Sequence, residues 1–186
     1  MDTSTHPTAI ADWVSTPRLI LRAWHEADLD AFASLTADPQ VMRYVGDGTL
    51  LDRVRTAEWI MVANRNREKW GYGTHAVVER ASGRVIGWAG LIHSDNAQDT
   101  AAEIIYALSP ASWGRGYATE LARGIIDWAW QHSALQRIVA TIMPDNASSI
   151  AMMGKLGFAS QGVVVENDGV RVAHFHCPRP DSAQRV

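Results

Sequence analysis

The stretch Leu108–Glu120 reads Leu-Ser-Pro-Ala-Ser-Trp-Gly-Arg-Gly-Tyr-Ala-Thr-Glu and joins an apolar, strand-like run to an amphipathic helix. Backbone N–H groups at a helix N-terminus bind anions, and Gly114 and Gly116 allow a ligand to approach the backbone closely. Arg115 adds a positive charge beside them. The stretch therefore predicts a cradle for a diphosphate. A tight turn before a helix has the same glycine pattern and is the alternative.

Two other phosphate-binding motifs do not fit this loop. The dinucleotide fingerprint Gly-x-Gly-x-x-Gly needs a third glycine where Thr119 stands. The nucleoside-triphosphate loop ends in Gly-Lys-Ser or Gly-Lys-Thr, and no such ending follows Gly116. A dinucleotide oxidoreductase thus rests on the two glycines alone and is the weakest interpretation.

Hydrophobic periodicity predicts the elements on either side of the loop. Some segments alternate or run apolar like strands, and others have the spacing of amphipathic helices. The predicted strands are 16–24, 74–79, 85–93, 101–108, 137–142, 159–165 and 170–177, and the predicted helices are 25–36, 50–69, 117–131 and 148–156. An antiparallel meander followed by β-α-β units indicates an α/β fold, a mixed sheet covered by helices.

Length and composition limit the number of domains and the classes of partner that this chain can have. A chain of 186 residues suits one domain, here 13–177, with polar segments 1–12 and 178–186 expected to be flexible. The net charge of −3 argues against a general nucleic-acid or membrane-surface binder. Cys177 is the single cysteine, so no internal disulfide forms. With no signal-like or membrane-spanning run, we expect a cytoplasmic protein that does not bind membranes.

The loop carries a family resemblance. The run Trp113–Ala118 resembles the acetyl-CoA pyrophosphate loop of the GNAT superfamily of N-acetyltransferases, Gln/Arg-x-x-Gly-x-Gly/Ala. Gly116 and Ala118 match its last two positions, whereas Trp113 replaces the usual first Gln or Arg. The loop's backbone donors do not depend on that side chain.

Two further segments resemble the same superfamily and stand in the expected order. Residues 16–22 read Thr-Pro-Arg-Leu-Ile-Leu-Arg, and Asn-Ala-Ser-Ser at 146–149 is followed by Lys-Leu-Gly-Phe at 155–158. The combination resembles the RimJ/RimL-like branch, whose namesakes acetylate ribosomal-protein N-termini. It implies a GNAT-like fold: a twisted, mostly antiparallel mixed sheet of about seven strands, helices on both faces, and a V-shaped splay between the fourth and fifth strands.

The resemblance also implies where acetyl-CoA, the co-substrate, binds. Its pantetheine amides would pair with the backbone of Tyr106, Ala107 and Leu108, at the splayed end of the fourth strand. Asn146 resembles the asparagine that hydrogen-bonds the pantetheine arm, although an Asx turn or a helix cap explains an asparagine there as well. The pyrophosphate would lie on the backbone amides of the loop: Trp113, Gly114, Arg115, Gly116, Tyr117, Ala118 and Thr119.

Catalysis requires a neutral amine, stabilisation of an oxyanion, and help for the leaving thiolate. Glu103 is the candidate base, with an exposed carboxylate or an ion pair as the alternative. A backbone N–H near Tyr106 or Leu108 would meet the oxyanion. Many GNAT enzymes use a tyrosine as the acid where this chain has Met153. Ser149 resembles the serine proposed as the acid in the RimL-type branch and would also contact acetyl-CoA, unless it is an ordinary first-turn serine.

The acceptor implied by the RimJ/RimL-like branch is a protein N-terminal α-amine. A small-molecule amine, such as an aminoglycoside, a polyamine or an amino acid, is the next interpretation. A non-catalytic acyl-CoA sensor is the third, favoured by Met153. We expect no metal, because His174 and His176 share a strand face without a third ligand. A homodimer is left open.

Overall fold

Within the described residues, 12–93, 100–166 and 169–180, the chain forms one eight-stranded sheet in the computed structural model. The strands are β1 (Val14–Ser15), β2 (Leu19–Arg22), β3 (Thr74–Glu79), β4 (Val85–His93), β5 (Ala101–Leu108), β6 (Arg137–Ile142), β7 (Ala159–Val165) and β8 (Arg171–Pro178). Their spatial order is β1-β2-β3-β4-β5-β6-β8-β7. Neighbours are antiparallel except β5 and β6, which run parallel. The mixed, mostly antiparallel sheet is thereby confirmed.

Helices cover both faces of this sheet, as predicted. They are α1 (Leu29–Thr36), α2 (Pro39–Met42), α3 (Arg53–Trp70), α4 (Tyr117–His132) and α5 (Ala147–Lys155). One buried core joins α4 and α5 to the sheet through residues such as Ile125 and Met153. The other core joins α1–α3 to the opposite face around Phe32 and Trp88.

The first predicted strand, 16–24, corresponds to β2 alone, and β1 lies before it, which is why the sheet has eight strands rather than about seven. The backbone N–H of Thr16 donates to the carbonyl of Leu19 at 2.9 Å, and this tight turn at Pro17 folds β1 back onto β2. Proline favours such turns because its φ is fixed. A two-residue strand is too short to show an alternating pattern of its own.

The predicted splay is confirmed between β5 and β6. These strands pair only where Ala101–Glu103 faces Arg137–Val139. Beyond Glu103, β5 continues beside β4, whereas β6 continues beside β8. A gap therefore opens between β5 and β6 towards the loop that leads into α4.

The chain ends of the expected domain fall at the edges of the described part. Segment 1–12 lies outside the described residues except for Asp12. Arg179, assigned from the sequence to the C-terminal tail, donates to the carbonyls of Trp130, Ser133 and Leu135 at 2.6–2.8 Å. It thereby binds a carbonyl in the last turn of α4 and two in the segment that follows.

Among the helices that the structure describes, none is both long and apolar enough to cross a membrane. The cytoplasmic location stays a prediction from the sequence.

Candidate active site

The loop before α4 has the backbone that an anion cradle needs. Gly114 and Gly116 take φ values of +71° and +75°, the left-handed region that glycine favours. Gly116 is the N-cap of α4 and has no side chain to cap it. The first N–H groups of a helix lack partners within the helix. Those of Tyr117, Ala118 and Thr119 therefore point out of the helix end, where the positive end of its dipole lies.

Trp113 fastens this loop to the end of β5. Its indole Nε1–H donates to the carbonyl of Leu108 at 2.8 Å, while half of the side chain stays exposed. Where the family pattern has Gln or Arg, this chain thus has an indole that bonds to its own strand.

Arg115 forms an ion pair with a carboxylate, so its charge is not free for a ligand. Its Nη1 lies 2.9 Å from Glu79 Oε1, and its guanidinium covers the Tyr117 ring at 4.5 Å. The Tyr117 hydroxyl donates to the same Glu79 oxygen at 2.7 Å. That hydrogen bond holds the pKa of Glu79 below its usual value and raises the pKa of Tyr117. An anion bound at this loop would therefore depend on backbone amides more than on the Arg115 charge.

A support for the cradle that the sequence did not reveal comes from the turn between β1 and β2. The Glu120 carboxylate, in the first turn of α4, accepts from Thr16 Oγ1 at 2.6 Å and from Arg18 N and Nε at 2.9 and 2.6 Å. Burial alone would raise the pKa of Glu120, but these hydrogen bonds outweigh it and the pKa is lowered. Arg18 also donates to the Arg115 carbonyl at 2.9 Å.

Backbone groups of β5 face the gap at alternate residues. The Ser109 N–H donates to Ile86 on β4, and the Ala107 carbonyl also faces β4, where it would lie 2.2 Å from a Cβ on Gly87. Because amide directions alternate along a strand, the N–H groups of Tyr106 and Leu108 point into the gap. Of the three residues expected to pair with pantetheine, Ala107 thus faces away from it.

Glu103 lies where β5 and β6 separate. Its Oε1 accepts from the backbone N–H of Thr141 at 3.1 Å and from the Thr141 hydroxyl. The partner is therefore a threonine of β6 and not a cation. Oε2 has no hydrogen-bond partner among the described residues. Thr141 pairs with His174 on β8, so His174 lies on the same sheet face, where its Nε2 is 2.9 Å from Glu166 Oε1.

Asn146 and Ser149 begin α5 on the other side of the gap. Asn146 Oδ1 accepts from the Ser149 N–H at 3.2 Å, so the helix-cap interpretation of Asn146 is correct. Its Nδ2 has no partner within the described part of the chain. The Tyr106 hydroxyl donates to Ser149 Oγ at 2.8 Å. Met153, one turn later, is fully buried in the core.

Glu103 and Ser149 reach the gap from opposite faces of the sheet. Glu103 and Ile105 are two residues apart on β5, so their side chains lie on the same sheet face, and Ile105 packs against the α1–α3 core. Tyr106 lies on the other face, where it packs against the α4–α5 core and its hydroxyl bonds to Ser149. The sequence-predicted loop, strand end and two catalytic candidates therefore surround one gap. In the ranges described, no three His, Cys, Asp or Glu side chains are grouped to hold a metal ion.

Known proteins resemble this chain over most of its length. The uncharacterized protein YkkB of Bacillus subtilis (strain 168) is 31% identical over 143 residues, 76% of this chain and 82% of that protein. The uncharacterized N-acetyltransferase p20 of Bacillus licheniformis is 28% identical, covering 80% and 83%. A crystal structure of an acetyltransferase from Agrobacterium tumefaciens str. C58 has a TM-score of 0.75 at 24% identity, covering 95% and 99%.

The family model described as the acetyltransferase (GNAT) domain matches residues 18–159, from the turn after β1 to the start of β7. This range contains the gap, the glycine loop and both catalytic candidates. The chain belongs to the GNAT family of acetyltransferases.

Proposed function

We propose that this GNAT acetyltransferase, which uses acetyl-CoA as its acetyl donor, transfers the acetyl group to the N-terminal α-amine of a protein or peptide, as the RimJ/RimL-like branch does. The observation that carries the proposal is the position of Glu103. One carboxylate oxygen is held by Thr141 at the point where β5 and β6 part, and the other, which has no partner among the described residues, would meet an incoming amine.

The chemistry of the base favours an α-amine. An α-amine has a pKa of about 7.7, so a usable fraction is neutral near pH 7, whereas a lysine amine at about 10.4 is almost fully charged. Glu103 Oε2 would take the proton that the amine loses on attack. A single carboxylate base therefore suits an α-amine, which is already partly neutral near pH 7, better than a lysine amine.

The other residues around the gap would bind acetyl-CoA and polarise its thioester. Bound acetyl-CoA supplies the acetyl thioester. The N-terminus of α4 would hold the diphosphate, and the gap-facing backbone of Tyr106 and Leu108, with Asn146 Nδ2, would hold the pantetheine arm. A gap-facing N–H of β5 stabilises negative charge on the acyl oxygen, and the Ser149 hydroxyl would donate to the leaving sulfur.

The names of similar proteins support an amine acceptor and divide over its kind. RimL, named as a ribosomal L7/L12 alpha-N-protein acetyltransferase, shares the fold with a TM-score of 0.75 at 18% identity, covering 89% of this chain and 96% of that one. The L-2,4-diaminobutyric acid acetyltransferase of Nocardia farcinica (strain IFM 10152) is 27% identical over 157 residues, covering 82% and 78%.

A small-molecule amine is the second candidate, because Asp145 and Glu166 add acidic side chains on segments near β6, whose Thr141 holds Glu103. Asp145 follows β6, where it accepts from the Tyr44 hydroxyl at 3.4 Å and lies 3.6 Å from Arg43. Glu166 lies on the same side, beside His174. Carboxylates near an acceptor site would attract a cationic amine.

Release of the CoA thiol from acetyl-CoA distinguishes the two candidates. The acceptors are a peptide pool with free α-amines, the same pool with acetylated N-termini and intact lysines, spermidine, and L-2,4-diaminobutyrate. We expect turnover with the free α-amines and a loss of at least tenfold when they are blocked. Turnover with spermidine or diaminobutyrate alone would replace the first candidate with the second.

A further inference from the structure

A hydrogen bond between two side chains bridges the gap on its α5 side. The Tyr106 hydroxyl, from β5, donates to Ser149 Oγ in the first turn of α5 at 2.8 Å. The two residues are 43 positions apart in the chain. Tyr106 is half-buried and packs against the α4–α5 core, so its ring has a fixed place beside the strand.

The bond determines what the Ser149 hydroxyl does next. A serine hydroxyl has one proton and two lone pairs, and Tyr106 occupies one of the lone pairs. A serine in or just after a helix commonly donates its proton to the carbonyl four residues earlier, as Ser34 in α1 does to Asp30 and Ser133, the C-cap of α4, does to Ala129. Ser149 makes no such bond within the described residues, and its backbone N–H is bound to Asn146. Its O–H proton therefore has no acceptor among the described residues.

Tyr106 is suited to remain the donor of the pair. Burial raises the pKa of its phenol, so the hydroxyl keeps its proton across the physiological range. Ser149 Oγ, as the acceptor, becomes a somewhat stronger donor in turn, because hydrogen bonds in a chain polarise one another.

We propose that Tyr106 is a positioning residue: its hydroxyl holds Ser149 Oγ and so directs the Ser149 O–H towards the sulfur of bound CoA. This inference rests on the proposed function and deepens it. Tyr106 does not touch the reacting atoms with its side chain and gives up no proton. Its effect is to keep the Ser149 proton aimed where negative charge collects as the carbon–sulfur bond breaks.

A purely structural role is the alternative, since a buried tyrosine hydroxyl generally has a partner. Such a role would affect the stability of the fold and leave the bound sulfur unaffected. The pKa of the thiol of bound CoA separates the two roles, because a hydrogen bond to the thiolate lowers that pKa. It needs no acceptor amine and is read from the ultraviolet absorbance of the thiolate.

The test is a double-mutant cycle with CoA as the ligand. In the wild-type protein we expect the pKa of the bound thiol to lie below its value in Ser149→Ala by about one unit. Tyr106→Phe should raise it by about half a unit or more, and the double variant should equal Ser149→Ala alone. Ser149→Thr, which keeps the hydroxyl, should retain the low value.

Tyr72→Phe is the matched control. Tyr72 is buried, and its hydroxyl bonds to His93 Nδ1 at 2.7 Å, outside the gap. Its loss should lower the melting temperature without changing the bound thiol.

The thiol pKa values separate a failure of the Tyr106 inference from a failure of the proposed function. If Ser149→Ala raises the pKa and Tyr106→Phe does not, Tyr106 does not position Ser149, and the inference is wrong while the proposed function stands. The inference is also wrong if the two effects add in the double variant. If Ser149→Ala changes nothing, Ser149 does not meet the sulfur and its proposed role fails as well. A wild-type protein that does not bind CoA would overturn the proposed function itself.

Discussion

Gly114 and Gly71 take nearly the same left-handed backbone, with φ values of +71° and +77°, in different surroundings. A Cβ added at either one would meet no heavy atom within 4 Å. The cost of alanine at each is therefore the conformational strain alone, about 1–2 kcal/mol. Gly71 ends α3, whereas Gly114 lies in the loop that we propose as the binding site for the diphosphate.

We expect Gly114→Ala and Gly71→Ala to lower the free energy of unfolding by similar amounts. Only Gly114→Ala should weaken acetyl-CoA binding, by about tenfold, because a shift that relieves the strain turns the loop's N–H groups away from the ligand. Thermal unfolding and calorimetric titration measure the two effects. Equal acetyl-CoA affinity in the two variants would show that the loop does not hold the diphosphate.

At the level of elements, β3 to β6 could be predicted from the sequence because alternation and apolar runs are local properties. Their predicted and observed bounds coincide at 74–79, 85–93, 101–108 and 137–142. The two-residue β1 and the four-residue α2 were not predicted, because neither is long enough to show a period. Helix α3 runs to Trp70, and Gly71, with its left-handed backbone, ends it as the predicted glycine signal requires.

In the candidate site, too, local features could be predicted from the sequence and long-range contacts could not. The glycine loop was visible in the sequence because its geometry depends on adjacent residues. The contact of Glu120 with Thr16 and Arg18 joins residues more than 100 positions apart, and the contact of Tyr106 with Ser149 joins residues 43 apart. Only the fold brings such residues together. Thr16 and Arg18 belong to the segment 16–22 that resembles the family, but their contact with Glu120 appears only in the structure.

At the level of the whole molecule, one buried histidine links stability to pH. His75 on β3 is fully buried, stacks on Trp13 with ring centroids 4.1 Å apart, and lies 3.0 Å from the Gly73 carbonyl through Nδ1. Because a carbonyl can only accept, Nδ1 carries the proton of a neutral ring. Burial lowers the pKa of His75 from 6.5 to about 4.

The free energy of unfolding should therefore fall as the pH decreases below 6.5. The unfolded chain binds a proton at His75 near pH 6.5, whereas the folded protein does so only near pH 4, so the contribution is complete above 6.5 and decreases towards 4. Between pH 6.5 and 4.5 we expect a loss of roughly 2 kcal/mol from this group. Denaturant unfolding across this range measures it.

His75→Asn should remove this part of the pH dependence, since the amide can still donate to Gly73 but does not titrate. His132→Asn, at an exposed histidine of α4, is the control and should keep it. A wild-type slope in His75→Asn would mean that other groups cause the pH dependence.

The most direct test of the central claim is the effect of Glu103→Gln on turnover and on acetyl-CoA affinity, measured side by side. Glutamine keeps the size of the side chain and its bond from Thr141 but is no base. With the free α-amine acceptor we predict that kcat falls by about 100-fold or more while the Kd for acetyl-CoA stays within about twofold. Glu58→Gln, at a surface ion pair on α3, should change neither. A Glu103→Gln enzyme with unchanged kcat would contradict the account, because the proton of the amine would then leave by another route.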